Sequence, residues 1–145
     1  MTDPAPAEIA AALVNAAPAG WAEITLTVSA TVVANDFALQ VKMRDGSPGS
    51  MELPAPVKTT FRALRDDHYE PGRGTWFSAT VVLRPDSEPA FSYDLDGDPN
   101  WWPPLHPSAF TRDLEAYPRD EEHVPPWLRK LLDEGGEQDR LRAQE

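Results

Sequence analysis

Residues 21–43 decide the fold of this chain, and they read WAEITLTVSATVVANDFALQVKM. Apolar side chains take every second position over Ala22–Val32, and Glu, Thr and Ser fill the positions between them. A period of two with many β-branched residues predicts a long strand with one buried face. Asn35-Asp36 predicts a turn, and renewed alternation over Phe37–Met43 predicts a second strand, paired with the first as a hairpin.

Helical and strand patterns alternate around this hairpin. Helices are predicted from Thr2-Asp3-Pro4 to Ala17, from Ala55 to the break at Pro71-Gly72, from Ser108 as N-cap to Ala116, and from Pro125-Pro126 to a stop at Gly135-Gly136. Further strands are predicted at Met51–Leu53, Thr75–Arg84 and Pro89–Leu95. In the central helix, Val57, Phe61 and Leu64 are expected to face inward, and Lys58, Arg62, Arg65 and Asp66 outward.

Hairpins grouped between helices indicate an α+β fold. We expect an antiparallel sheet of four to five strands, packed with N-terminal, central and C-terminal helices. A chain of 145 residues fits one domain, predicted at 1–134 with a polar tail at 135–145.

Net charge and composition limit the classes of partner that the chain is expected to bind. The net charge is -11, and residues 94–145 hold 13 acidic and 6 basic side chains, so -7 of it lies there. Such acidity disfavours nucleic acid and membrane surfaces and favours basic proteins, although solubility alone also accounts for it. The absence of Cys excludes disulfides and is compatible with a cytoplasmic location. No basic leader and no long apolar run is present, so neither secretion nor membrane insertion is expected.

Motifs for catalysis are weak. His68, His106 and His123 lie in three separate segments, and no serine lies in a nucleophile elbow. The acidic run Asp94–Asp98 offers oxygen atoms to calcium, but its glycine is at the fourth position and Leu105 takes the place of the usual final Glu. We therefore assign no catalytic, metal or cofactor-binding residue and expect no cofactor.

A dense aromatic and proline segment is the more informative feature. Trp101 and Trp102 are adjacent and precede Pro103-Pro104, so at least one indole is expected at a surface or groove. Trp127 has helical spacing with Leu131 and is expected in the core. We assign partner binding, as a hypothesis, to Asp94, Asp96, Asp98, Trp101 and Trp102.

The second half of the chain carries an ordered series of short motifs. They are Gly74-Thr75-Trp76-Phe77-Ser78-Ala79-Thr80-Val81, Phe91-Ser92-Tyr93-Asp94, Phe110-Thr111-Arg112-Asp113-Leu114, Tyr117-Pro118-Arg119 and Val124-Pro125-Pro126-Trp127-Leu128. This series resembles the YezG-like immunity proteins, antitoxins of bacterial polymorphic toxin systems. The motif positions of the resemblance are Trp76, Tyr93, Asp113, Pro118, Arg119 and Trp127.

The resemblance implies a non-enzymatic protein that binds and inhibits a cognate secreted toxin, often a nuclease, inside the producing cell. Two other classes remain open from the residues: a ligand-binding or enzymatic domain with a pocket between sheet and helices, and a general adaptor. Arg119 is expected to be a structural clamp on Asp113 or on the Tyr117 ring, with a partner contact as the alternative. The sequence leaves the oligomeric state open.

Overall fold

The computed structural model describes residues 4–101 and 104–143, with side chains described as far as residue 135. Its elements follow in chain order: α1 at Ala5–Ala16, β1 at Trp21–Ala30, β2 at Asn35–Met43, β3 at Pro48–Gly49, α2 at Ala55–Asp67, β4 at Ser78–Leu83, β5 at Ala90–Asp94, α3 at Ser108–Ala116, a 3-10 turn at Glu121–His123 and α4 at Pro126–Ala143. The predicted start of α1 at Thr2-Asp3 lies outside the described residues.

The strands form an open antiparallel sheet in the order β3-β2-β1-β4-β5. Strand β1 lies at the centre because its alternation is the longest and the most apolar of the five. Ile24, Leu26, Val28 and Ala30 are each at most 1% exposed. The α+β fold class predicted from the sequence is confirmed.

The chain divides into two compact units, which we describe separately. The first consists of the described residues within Met1–Val28, Phe37–His68 and Ala79–Tyr93. It contains most of the sheet together with α1 and α2, and these two helices pack against each other. Phe61 of α2 contacts the Phe37 ring of β2 at 6.2 Å between centroids, and Val57, Phe61 and Leu64 are buried as predicted.

The second unit consists of Ser29–Asp36, Tyr69–Ser78 and the described part of Asp94–Glu145. Helices α3 and α4 pack against each other within it. Its core is formed by Phe77, Ala109, Phe110 and Leu128, with Trp127 and several leucines packed around them. The predicted division into one domain and a tail stays a prediction.

Two sequence predictions about the sheet were wrong. The turn of the first hairpin lies at Val32 and Val33, whereas Asn35-Asp36 already belongs to β2. The third strand is Pro48–Gly49, which pairs with Val41 and Lys42, and residues 51–53 are not in a strand. In both cases backbone pairing with a neighbouring strand outweighed the local residue preference.

Three predictions about the helices also need correction. Ser108 is the first residue of α3, and Pro107 is its N-cap. Arg65 was expected to face outward but is only 4% exposed. Gly135-Gly136 does not end α4, which continues to Ala143. Gly135 instead lies where α3 and α4 touch, since a Cβ atom there would be 3.3 Å from the Pro107 carbonyl. No helix in the described part of the chain has both the length and the apolar character needed to cross a bilayer.

Candidate partner-binding surface

Arg119 organises the second unit from inside it. Its side chain is 1% exposed, and its guanidinium donates to three main-chain carbonyls: Thr75 at 2.9 Å, Leu95 at 2.6 Å and His123 at 3.0 Å. Hydrogen bonds from a charged donor are stronger than neutral ones, and the planar guanidinium presents five donors in a fixed geometry. One side chain therefore ties together three segments that are distant in sequence.

The Arg119 side chain limits which residues can lie next to it. The guanidinium carbon lies 4.9 Å from the centroid of the Phe77 ring, a cation–π arrangement. Gly74 has φ +92°, and a Cβ atom at this position would collide with the Arg119 side chain. The chain next to Arg119 is fixed as well, because the Asp120 amide donates to the Gly72 carbonyl at 2.6 Å. Glycine is thus required at position 74 by both backbone geometry and space.

The contacts described for Arg119 join it to main-chain carbonyls, to Phe77 and to Asp96, and the predicted contact with Asp113 or the Tyr117 ring stays a prediction. Asp113 is 2% exposed and accepts the Val32 amide at 2.7 Å. Tyr117 packs against the Tyr69 ring at 5.5 Å. Pro118 is held through its carbonyl, which accepts the Tyr69 hydroxyl at 3.2 Å.

Residues Asp94–Trp101, which we call the acidic loop, are anchored through their main chain. The Asp94 carbonyl accepts the Phe77 amide at 3.0 Å, and the Leu95 carbonyl accepts Arg119. The Asp96 carbonyl accepts the indole N–H of Trp127 at 2.8 Å. Three consecutive residues are therefore fixed by contacts that do not use their own side chains.

The carboxylates of the acidic loop are exposed but oriented. Asp94 accepts the amides of Asp96 at 3.2 Å and Gly97 at 2.9 Å, and Asp98 accepts the Asn100 amide at 2.9 Å. Asp96 is 58% exposed and forms ion pairs at 3.4 Å with Arg119 and at 3.9 Å with Arg73. Its charge is therefore partly offset, whereas Asp94 and Asp98 have only amide partners among the contacts described.

The tryptophans of the site have different roles. Trp127 packs edge-on against Phe77 at 5.4 Å and against Phe110 at 5.9 Å, and it lies on the core cluster as expected. Trp101 is partly buried against the same cluster. Its indole N–H is buried without a hydrogen-bond acceptor among the described residues, beside a cavity of about 230 Å³ lined by Asp98, Asn100 and Phe110 among others. Trp102 lies outside the described residues.

The two remaining motif residues are Trp76 and Tyr93, and both are packed against other residues. Trp76 is 1% exposed and precedes Phe77 in the second unit. Tyr93 belongs to the first unit and packs edge-on against His68, with 4.7 Å between ring centroids. The five motif residues other than Tyr93 all belong to the second unit. They are Trp76, Asp113, Pro118, Arg119 and Trp127.

The sequence reading missed Val32 and Val33, which we call the valine tip. They are 44% and 55% exposed and form the turn between β1 and β2. No local signal marked them, because adjacent β-branched residues favour a strand rather than a turn.

Metal binding depends on how the His, Asp and Glu side chains are grouped in space. In the parts of the chain that are described, no three His, Asp or Glu side chains are grouped in a way that could hold a metal ion. His106 accepts the Ser108 amide through Nδ1 at 3.1 Å at the start of α3, and His123 lies 3.6 Å from Glu122. The histidine contacts found here are thus local to their own segments or, for His68, aromatic.

Comparison of the sequence with models of known protein families gives no match, and comparison with curated proteins gives none either.

Proposed function

We propose that this chain is an immunity protein, which binds and neutralises a cognate secreted toxin in the cytoplasm of the producing cell. The expected partner is a basic nuclease domain. Inhibition follows from stoichiometric protein–protein binding, without catalysis by this chain.

The observation that carries this proposal is the acidic loop, anchored through its main chain with its carboxylates exposed. Arg119 and Trp127 fix the carbonyls of Leu95 and Asp96. Amide donors orient Asp94 and Asp98. A loop that is already ordered loses little conformational entropy on binding, so more of the interaction energy appears as affinity.

Electrostatics supports a basic partner. Nucleases need cationic surfaces to contact the phosphate backbone, and this chain has a net charge of -11. Complementary fields raise association rates by one to three orders of magnitude at low ionic strength. An inhibitor that must capture a toxin before the toxin acts benefits from fast association.

The placement of the motif residues also supports the proposal. Several of the short motifs that resemble the immunity family contribute to the Arg119 contacts: Thr75 and Phe77 from the first motif, Arg119 itself, and Trp127 through Asp96. Residues from several individually weak motifs are therefore joined through Arg119, and a shared fold would require such contacts between them.

The test uses the toxin domain encoded by the neighbouring open reading frame, purified and mixed with this chain in a stopped-flow instrument at several salt concentrations. The test variant is Asp94→Asn with Asp98→Asn, which removes two charges but keeps an Oδ1 acceptor for each turn. Its matched control, Glu52→Gln with Glu88→Gln, removes two exposed charges from the first unit. We expect the association rate of the test variant to fall about 3- to 10-fold at low salt, with a shallower salt dependence, and that of the control to fall less.

The outcomes separate the alternatives. A toxin that retains full activity with an equimolar amount of the wild-type chain contradicts the immunity function. Equal slowing by both pairs of substitutions contradicts the acidic loop as the contact surface. Turnover of a small molecule by the purified chain would favour the enzymatic alternative.

A further inference from the structure

The valine tip is an apolar projection with a fixed conformation. The Thr31 amide donates to the Ala34 carbonyl at 2.8 Å. The Thr31 hydroxyl accepts the amides of Val33 at 3.3 Å and Ala34 at 3.2 Å. The Val32 amide donates to Asp113 at 2.7 Å. Four hydrogen bonds therefore hold a turn whose two central side chains are the exposed valines.

This arrangement contradicts local preference. Turn positions favour Gly, Asn, Asp, Pro and Ser, and β-branched side chains favour strands. The turn is supported instead by two buried polar side chains, Thr31 at 3% and Asp113 at 2% exposure. Places where a sequence breaks local rules without a gain for folding are typically functional sites. Solvation alone would favour polar residues at these two positions.

The tip lies near the acidic loop within the second unit. The Ala30 amide donates to the Phe77 carbonyl at 2.9 Å, and the Phe77 amide donates to the Asp94 carbonyl at 3.0 Å. Ala30 and Asp94 therefore both hydrogen-bond to the main chain of Phe77, which lies between them. The chain continues from Ala30 into the valine tip and from Asp94 into the acidic loop.

We propose that the valine tip is the apolar anchor of the toxin-binding surface and inserts into an apolar recess next to the basic groove of the partner. This inference rests on the proposed function. The occupant is a basic protein domain, because the exposed carboxylates of the acidic loop follow Asp94, which bonds to Phe77 as does Ala30 before the tip. Interfaces commonly combine an apolar centre with a polar rim.

The tip and the loop then act on different rate constants: the carboxylates raise the association rate, and the buried isopropyl groups lower the dissociation rate.

The test compares two variants of the chain. One is a double variant that carries both Val32→Thr and Val33→Thr, and the other is the single variant Val14→Thr. Threonine keeps the β-branched shape and replaces one methyl group by a hydroxyl group. Val14 is 45% exposed in α1 and serves as the matched control. Binding to the same toxin domain is followed by surface plasmon resonance. We expect the dissociation rate of the double variant to rise about 10- to 100-fold, with its association rate and salt dependence unchanged and with no change in the control.

Each outcome decides between the two proposals. If the wild-type chain does not bind the toxin domain, both proposals are rejected. If it binds and the double variant dissociates within twofold of the wild-type rate, the anchor is rejected and the immunity function stands. A second measurement needs no variant: the methyl groups of Val32 and Val33 should be shielded from a soluble paramagnetic probe in the wild-type complex. Methyl groups that stay as accessible as in the free chain would reject the anchor.

Discussion

Arg119 shows how one buried charge is stabilised by main-chain atoms. Its guanidinium has three carbonyl acceptors and an aromatic ring beside it, and it lies 3.4 Å from the carboxylate of Asp96, whose side chain is 58% exposed. Carbonyl dipoles aimed at the guanidinium replace water and lower the cost of burying the charge. Removal of the guanidinium leaves those carbonyls without their donor. We therefore expect Arg119 to be necessary for the stability of the fold.

We therefore predict that Arg119→Ala lowers the free energy of unfolding by about 2–4 kcal/mol, since three carbonyls in partly buried hydrogen bonds lose a charged donor. Arg129→Ala is the control. Arg129 pairs with Glu121 at 2.6 Å, but their side chains are 41% and 86% exposed, so its loss should cost less than about 1 kcal/mol. Urea denaturation followed by tryptophan fluorescence measures both. Similar losses in the two variants would contradict the role of Arg119 as a clamp.

The sequence could indicate Arg119 as a clamp candidate but not its acceptors. Residue patterns show which side chains are available, whereas carbonyl groups are present at every position and leave no trace in the sequence. Arg65 illustrates the same limit. It follows Leu64 in α2 and is only 4% exposed, so its guanidinium is buried together with its aliphatic stem, which the helical period of apolar residues does not indicate.

At the scale of elements, the contact between α3 and α4 depends on a small residue. A Cβ atom at Gly135 would overlap the Thr111 side chain and approach the Pro107 carbonyl at 3.3 Å. The Gly-Gly pair resembled a helix stop in the sequence because glycine is a poor helix former. In the structure the helix continues through it, and the absence of a side chain at position 135 permits the close approach.

The corresponding prediction concerns Gly135→Ala. Alanine should favour the helix by about 1 kcal/mol, but its Cβ atom would overlap the Thr111 hydroxyl, and the Pro107 carbonyl at 3.3 Å would also have to move slightly. We expect a net loss of about 1–2 kcal/mol in unfolding free energy. Adding Thr111→Ala should recover part of that loss, which a double-mutant cycle by thermal denaturation measures. A stabilising effect of Gly135→Ala would contradict the close packing described here.

The elements themselves were largely predictable. The alternation in β1 and the inward face of α2 identify their buried residues directly, because burial on one face imposes a period on the sequence. The first turn and β3 were not, because they depend on distant groups. Asp113 is 81 residues away from the Val32 amide that it binds, and Pro48–Gly49 is a strand only because β2 pairs with it.

At the scale of the whole molecule, the net charge of -11 has two consequences of opposite sign. Like charges repel in the folded chain and lower its stability, whereas the same charges attract a basic partner. Dissolved salt screens both effects, because the Debye length falls to about 10 Å at 0.1 M ionic strength.

We predict that raising NaCl from about 0.02 M to about 0.3 M increases the free energy of unfolding of this chain by about 0.5–1 kcal/mol, while it slows association with the toxin domain. Denaturant titrations and stopped-flow mixing in the same buffers measure the two quantities. A free energy of unfolding that falls with salt would show that attractive ion pairs, such as Arg84 with Glu23 at 2.9 Å, outweigh the repulsion.

The main-chain anchoring of the acidic loop has a consequence for how such a protein could change its target. Arg119 and Trp127 hold Leu95 and Asp96 by carbonyl groups, which every amino acid provides. Substitutions at Leu95 or Asp98 would therefore leave those two anchors chemically intact. On the proposed function, the main-chain anchors could be kept while the exposed side chains of the loop are changed, so the loop offers a position for grafting a new specificity.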